Sequence, residues 1–218
     1  MNYGFFRVAS ISPSLSVADC DFNSKQIIEL VKKAQDKKIK LLVFPELSIC
    51  AYTCADLFAQ KMLQEECYLA LKNICAETKN CNVLFCVGLP VELDSERFNC
   101  AAFVYKGKVL ALIPKSFIPN YSEFYESRWF VSFSENTVKQ ISLCKGLEDI
   151  PFGTDIFIQD ENDSSIKISA ELCEDLWVPF SPSTRHALNG ATIIANLSAS
   201  NEVAGKADII MLPNIDAG

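Results

Sequence analysis

"KLLVFPE", residues 40–46, is an apolar run closed by a proline and ending on a carboxylate. A strand with one wet face alternates apolar and polar positions, whereas a run apolar at successive positions is covered on both faces. Pro45 has no N–H for a ladder and stops the strand there. The same character returns in "NVLFCVGLP" (82–90) and "ATIIANLSAS" (191–200). "NCAAFVYKGKVLALIPK" (99–115) reads as two strands joined at Lys106-Gly107-Lys108, a hairpin turn. "DIFIQD" and "IKISAEL" flank the turn-rich Glu161-Asn162-Asp163-Ser164 and predict a second hairpin. "FFRVASISPS" (5–14) is a further strand, closed by Pro13.

Helical spacing appears between these runs. Asn23 is a candidate cap, with Gln26 three residues on, for a helix carrying Ile27, Leu30, Val31 and Ala34. Asp56 is a candidate cap for a second helix reaching about Lys79 and carrying Met62, Leu63, Leu69 and Ile74. Pro182 at a start and Gly190 just past an end bracket a short helix containing His186. A polar, aromatic loop runs from Ser116 to about Phe133. Strands that alternate with helices predict an α/β fold with mixed sheets, and 218 residues without a repeat or linker suit one domain over 1–218. The apolar tail "DIIMLPNIDAG" closes without a capping element, so the expected fold is cut short at its C-terminus.

Composition narrows the function. A net charge of −7 argues against a nucleic-acid surface, and no apolar stretch approaches a membrane span. "MNYGFFRVAS" lacks the basic and apolar regions of a secretory signal. Ten cysteines in a chain of this length, half of it hydrophobic, fit a reducing cytoplasm better than a disulfide framework. Cys50, Cys67, Cys75, Cys86, Cys100 and Cys144 read as small buried hydrophobes. No Cys-x-x-Cys is present, and with a single histidine any zinc site would be almost wholly thiolate, so no metal is expected.

Three buried strands end abruptly on an ionisable residue: Glu46, Lys115 and Cys173. Ligand-binding and catalytic groups of α/β proteins converge at the carboxyl ends of strands. Taken singly, Glu46 or Lys115 would be an ordinary solvated strand end. What is missing sharpens the pattern. A cysteine–histidine couple would have to be Cys173–His186, and His186 sits in a plain short helix where a surface or half-buried histidine is the usual occupant. There is no Gly-x-Ser-x-Gly, no Walker loop and no Ser-Gly-Gly phosphate loop. An enzyme built on this chain would use a carboxylate as base and a lysine as cationic helper.

In that order and spacing, Glu46, Lys115 and Cys173 resemble the Glu-Lys-Cys triad of the nitrilase superfamily of carbon–nitrogen hydrolases. "FPELSICAYTCADLF", "PKSFIPNYSEFYESRWF", "ELCEDLWVP" and "NLSASNEVAGK" closely resemble the glutaminase domain of glutamine-dependent NAD synthetases, from about Phe5 to Asp208. The resemblance implies a nitrilase-like four-layer α-β-β-α sandwich, truncated at the C-terminus. It implies attack of Cys173 on the side-chain amide of glutamine, a thioester, and proton transfers through Glu46. Lys115 would face the oxyanion and favour the thiolate, offsetting the acidic neighbours of Cys173. Glu126 matches a second glutamate supporting the triad. Tyr121, Ser200 and Lys206 match glutamine-contacting positions, and Tyr52, Glu174 and Trp177 fall on pocket-lining motifs. The glutaminase step would need no cofactor. ATP and Mg would belong to an ammonia-receiving synthetase domain that this sequence does not contain, and self-association into a homo-oligomer is expected. The alternatives are a stand-alone amidase acting on another small amide and a truncated, non-catalytic module. An ordinary amidase has no need of Tyr121, Ser200 and Lys206 to hold an amino acid's head group.

Overall fold

The computed structural model describes residues 5–134 and 137–200. Its framework is a seven-stranded mixed sheet, β1 (Val8–Ser10), β2 (Leu41–Val43), β3 (Leu84–Leu93), β4 (Glu96–Tyr105), β5 (Lys108–Pro114), β6 (Lys139–Ile141) and β7 (Ile150–Phe152), in the order β1-β2-β3-β4-β5-β7-β6. Parallel pairing joins β1 to β2 and β2 to β3, and antiparallel pairing joins β3, β4 and β5. A second sheet of three strands, β8 (Ile158–Gln159), β9 (Lys167–Leu172) and β10 (Ile193–Leu197), has the order β10-β9-β8, with β10 parallel to β9.

Two hydrophobic layers stack these sheets. Helices α1 (Cys20–Asp36) and α2 (Lys61–Thr78) bury Ile27, Val31, Leu71 and Ile74 against one face of the large sheet, where they meet Phe85, Val87, Val104 and Leu112. The opposite face contributes Leu84, Cys86, Phe103 and Ile113, which pack on Ile168, Ala170, Leu172 and Leu197 of the small sheet. Alternate residues of β9 point away, and α3 (Pro182–Leu188) covers them, with the Ser183 N–H bonded to Glu171 at 2.9 Å. Period-two side-chain direction thus assigns each residue of β9 to one layer. The order helix, sheet, sheet, helix is the expected four-layer sandwich.

Both predicted hairpins form. β4 turns into β5 through Lys106 and Gly107, at φ of 47° and 76°, a two-residue turn with both centres left-handed. Lys108 belongs to the strand. A second tight turn, Asp94–Ser95 at φ of 52° and 66°, joins β3 to β4 and lacks the glycine that would have marked it in sequence.

Several local expectations fail for identifiable reasons. α1 begins earlier than Asn23, because the Asp19 carboxylate accepts from Phe22 N–H at 3.0 Å and caps the helix. Asn23 lies inside and buried, tying down Ser16 and the Ile49 carbonyl. α2 starts at Lys61, since a 3-10 stretch over Tyr52–Ala59, broken at Ala55 (φ 51°), intervenes and Asp56 instead binds Arg128 and Trp129. The buried face of α2 is set by Leu63, Cys67, Leu71 and Ile74, leaving Met62 and Leu69 exposed. Cys144 is half-buried, whereas the other five cysteines read as core are buried. No described helix is long and apolar enough to cross a membrane.

Candidate active site

Glu46 follows β2, where the chain turns across β3 with Leu47 at φ 52°. This crossing is so close that a Cβ on Gly88 would lie 2.1 Å from the Leu47 nitrogen, so only glycine fits there. Lys115 follows β5, its backbone N–H bonded to the Asn99 carbonyl at 2.8 Å. Glu126 opens a short 3-10 turn, Glu126–Arg128, held from outside by the bidentate Arg128–Asp56 pair. Cys173 follows β9 as the first residue of the 3-10 turn Cys173–Leu176, at φ 44°. A non-glycine residue in that region is strained, and such strain concentrates where a side chain must be aimed.

The side chains meet in the interior. Lys115 Nζ lies 2.7 Å from Glu46 Oε1 and 3.0 Å from both oxygens of Glu126, with all three residues at or below 1% exposed. Glu46 Oε1 also accepts from Asn99 Nδ2 at 2.7 Å, and its Oε2 accepts from the Ala199 N–H at 3.2 Å. Tyr52 donates its hydroxyl to Glu126 at 2.6 Å. Every carboxylate oxygen of this cluster is therefore engaged by a donor.

The electrostatics follow from burial and pairing. Burial raises the Glu46 carboxyl above the usual range; Lys115 opposes that and the Glu126 charge adds to it. For Lys115 burial alone would favour the neutral amine, but Glu46 and Glu126 overcome it and raise the ammonium's pKa. Cys173 is pushed up to about 11, first by burial and then by the Glu46 charge, with Lys115 pulling the other way. The resting thiol therefore stays protonated at neutral pH, although Lys115 acts in the expected direction, toward the thiolate. Its positive charge is already shared between two carboxylates, so too little is left over to offset desolvation.

The other expected residues divide by position. Tyr121, 55% exposed, donates to Glu174 Oε2 at 2.8 Å, which raises the phenol to about 12. Trp177 is exposed and Ser200 lies exposed just beyond β10, next to the Ala199 that binds Glu46. Lys206 falls outside the described residues. His186 is fully buried, neither at the surface nor half-exposed, with Nε2 3.0 Å from the Thr154 carbonyl and its ring edge-on to Phe157. Two open grooves, of about 550 and 530 Å³, are lined by other residues, such as Tyr68 and Glu92 in one and Tyr105 and Ile158 in the other. Among the described residues no group of three or more His, Cys, Asp or Glu is arranged to hold a metal.

Two contributors escaped the sequence reading. Asn99 is a buried amide among the otherwise apolar buried residues Phe98–Val104 of β4, and that misfit was its only signal. Asp175 accepts from Ser116 N–H and Phe117 N–H through Oδ1 and from Leu172 N–H through Oδ2. It thereby ties the chain after Lys115 to the turn that carries Cys173, and burial raises its carboxyl to about 7.

Residues 7–209 match the family of carbon–nitrogen hydrolases. The chain is 32% identical over 206 residues to the glutamine-dependent NAD(+) synthetase of Mycobacterium tuberculosis, covering 94% of this chain and 30% of that protein. It is 27% identical to the human enzyme of the same name, covering 92% and 29%. It thus spans about a third or less of the length of these relatives. The structure superposes on a glutamine-dependent NAD(+) synthetase from Cytophaga hutchinsonii with a TM-score of 0.83 at 27% identity, covering 97% of this chain and 33% of that one. It shares its fold with an amidase from Nesterenkonia sp. AN1, at a TM-score of 0.73 and 19% identity, covering 96% and 72%. The chain belongs to the carbon–nitrogen hydrolase family and has the nitrilase-like fold of a hydrolase.

Proposed function

We propose that this chain hydrolyses the side-chain amide of glutamine, with Cys173 as nucleophile, and that the ammonia serves NAD synthesis. The observation that carries this reading is the buried Lys115 ammonium held between Glu46 and Glu126 beside Cys173 on its left-handed turn.

A thiol held near pKa 11 is protonated at neutral pH, so attack on the amide carbon requires its proton to leave in the same step. Glu46 is the acceptor, because burial has raised its pKa toward the range where a carboxylate can take and return a proton. Taking the proton also neutralises Glu46. Lys115 then loses one of its two anionic partners just as negative charge appears on the amide oxygen, and it stabilises that oxyanion more strongly than the ground state. Glu46 returns the proton to the departing ammonia, leaving an acyl thioester on Cys173. Water, deprotonated by Glu46, attacks the thioester, releasing glutamate and restoring the thiol. Glu126 and Tyr52 hold Lys115 in place throughout.

Tyr121, Glu174, Trp177, Ser200 and Lys206 are proposed to bind the amino-acid part of the substrate. No cofactor enters this step; ATP and Mg belong to a synthetase partner that receives the ammonia, and the working form is a homo-oligomer. The test is ammonia release by the purified chain from glutamine, asparagine and propionamide, with Cys173→Ala as control. Preference for glutamine supports the proposal. Equal turnover of propionamide would instead favour a general amidase, the reading that the shared amidase fold keeps in play.

A further inference from the structure

Away from the candidate active site, four cysteines from separate segments converge in the core. Cys20 opens α1, Cys50 and Cys54 lie in the segment after β2, and Cys67 occupies the middle of α2. All four are buried, from 0% to 3% exposed. The sulfurs of Cys20 and Cys67 stand 3.6 Å apart. Cys54 is committed to the backbone, donating to the carbonyls of Cys50 at 3.0 Å and Ala51 at 3.3 Å. Either sulfur of the Cys20–Cys67 pair can donate to the other, while Cys50 donates to the Leu47 carbonyl at 3.7 Å. Contact with Cys20 and Cys50 lowers the Cys67 pKa, and contact with Cys67 raises that of Cys20. None of these cysteines touches the proposed chemistry. No described group of three or more of these ligand types is arranged for a metal, so the convergence is not a metal site.

We propose that Cys20 and Cys67 form an oxidative modification site, joined into a disulfide by hydrogen peroxide, that staples α1 to α2. A disulfide needs its sulfurs about 2.05 Å apart, so the pair must close by roughly 1.5 Å. Cys20 stands at the first residue of its helix, where the backbone can make that adjustment, and the two helices already pack side by side. Cys67 thiolate attacks one peroxide oxygen, giving sulfenic acid and hydroxide. The Cys20 sulfur then attacks the sulfenic sulfur, its proton leaving with the hydroxyl as water. One peroxide is reduced by two electrons and two thiols are oxidised to one disulfide. The oxidant must be small, since Cys67 is fully enclosed. Cys75, Cys86 and Cys100 are equally buried, but no thiol perturbs any of them, and burial alone holds each thiol protonated.

The test is mild peroxide treatment of the chain, alkylation under denaturing conditions and peptide mapping without reductant. A single cross-linked pair carrying Cys20 and Cys67, reversed by dithiothreitol, is the expected result. Because the link closes a long loop, Tm should rise by roughly 5–10 °C on oxidation. Cys20→Ser should abolish both changes and Cys100→Ser neither. Recovery of Cys20 and Cys67 as separately alkylated peptides would overturn the proposal, whether or not Cys173 is oxidised. A link that forms without raising Tm would show that the native packing does not accommodate it, and would overturn it too. Mapping of the unsubstituted chain decides the matter even where a variant fails to fold.

Discussion

Replacing Lys115 by methionine keeps most of the side chain's volume and removes its charge. Three short contacts disappear, one to Glu46 at 2.7 Å and two to Glu126 at 3.0 Å. Each charge-assisted bond is worth about 1.5–3 kcal/mol, part of it offset by the apolar replacement, and breaking a buried ion pair typically costs about 3–5 kcal/mol. For a chain of this length that corresponds to a fall in Tm of roughly 6–20 °C near pH 8. The loss must also depend on pH. The folded-state pKa of Glu46 is already raised, so between its unfolded and folded values the folded protein binds more protons and stability falls as pH rises. Without Lys115 the main opposing influence is gone, the folded pKa climbs further and the window widens. Lys115 itself, with its pKa raised, is charged in both states from pH 5 to 8 and adds no slope there. Urea unfolding of both proteins at pH 5 and pH 8, followed by tryptophan fluorescence, should show the gap narrowing at pH 5. A gap that is constant or wider at pH 5 would refute the account of Lys115 as the counter-ion of Glu46 and Glu126.

Cys173→Ala should abolish glutamine turnover without lowering Tm, and a thiol-directed glutamine analogue should label Cys173 alone among the ten cysteines, as peptide mapping would reveal. Alkylation of unliganded Cys173 by iodoacetamide should keep accelerating toward pH 11, since the thiol titrates near there; a plateau by pH 8 would contradict it. Asp175→Ala leaves three backbone N–H groups without their acceptor and should destabilise by about 2–4 kcal/mol in urea, with turnover falling as both loops loosen. Gly88→Ala drives a methyl group into the Leu47 backbone and should cost about 3 kcal/mol or more by the same measurement.

The α/β class, the two hairpins with sequence-marked turns and the three strand-end residues were legible because each is written into a local pattern. Apolar runs, turn residues and an ionisable group after a strand need no knowledge of the rest of the chain. What local text cannot carry is which groups share a counter-ion. Lys115 pulls Cys173 toward the thiolate as read, yet its charge is shared with Glu46 and Glu126, and burial still raises the thiol. Asp175 drew no reading from its local text, because its work is done on Ser116 and Phe117, far away in sequence. Three-residue strands such as β6 and β7 are too short to show a period. The α1 cap was misplaced because Asp19 and Asn23 are both good capping residues, and only tertiary bonding to Ser16 and Ile49 settles what Asn23 does.

The left-handed backbone at Cys173 sets stability and chemistry against each other at one position. An L-residue there costs on the order of 1–2 kcal/mol that glycine would not incur. Cys173→Gly is therefore a substitution that can tighten the fold while erasing the proposed nucleophile. A chain selected only for persistence would drift toward glycine at residue 173, whereas one kept for its thiol retains the strain. Among homologous chains, cysteine or glycine at this position would then report which selection each has been under.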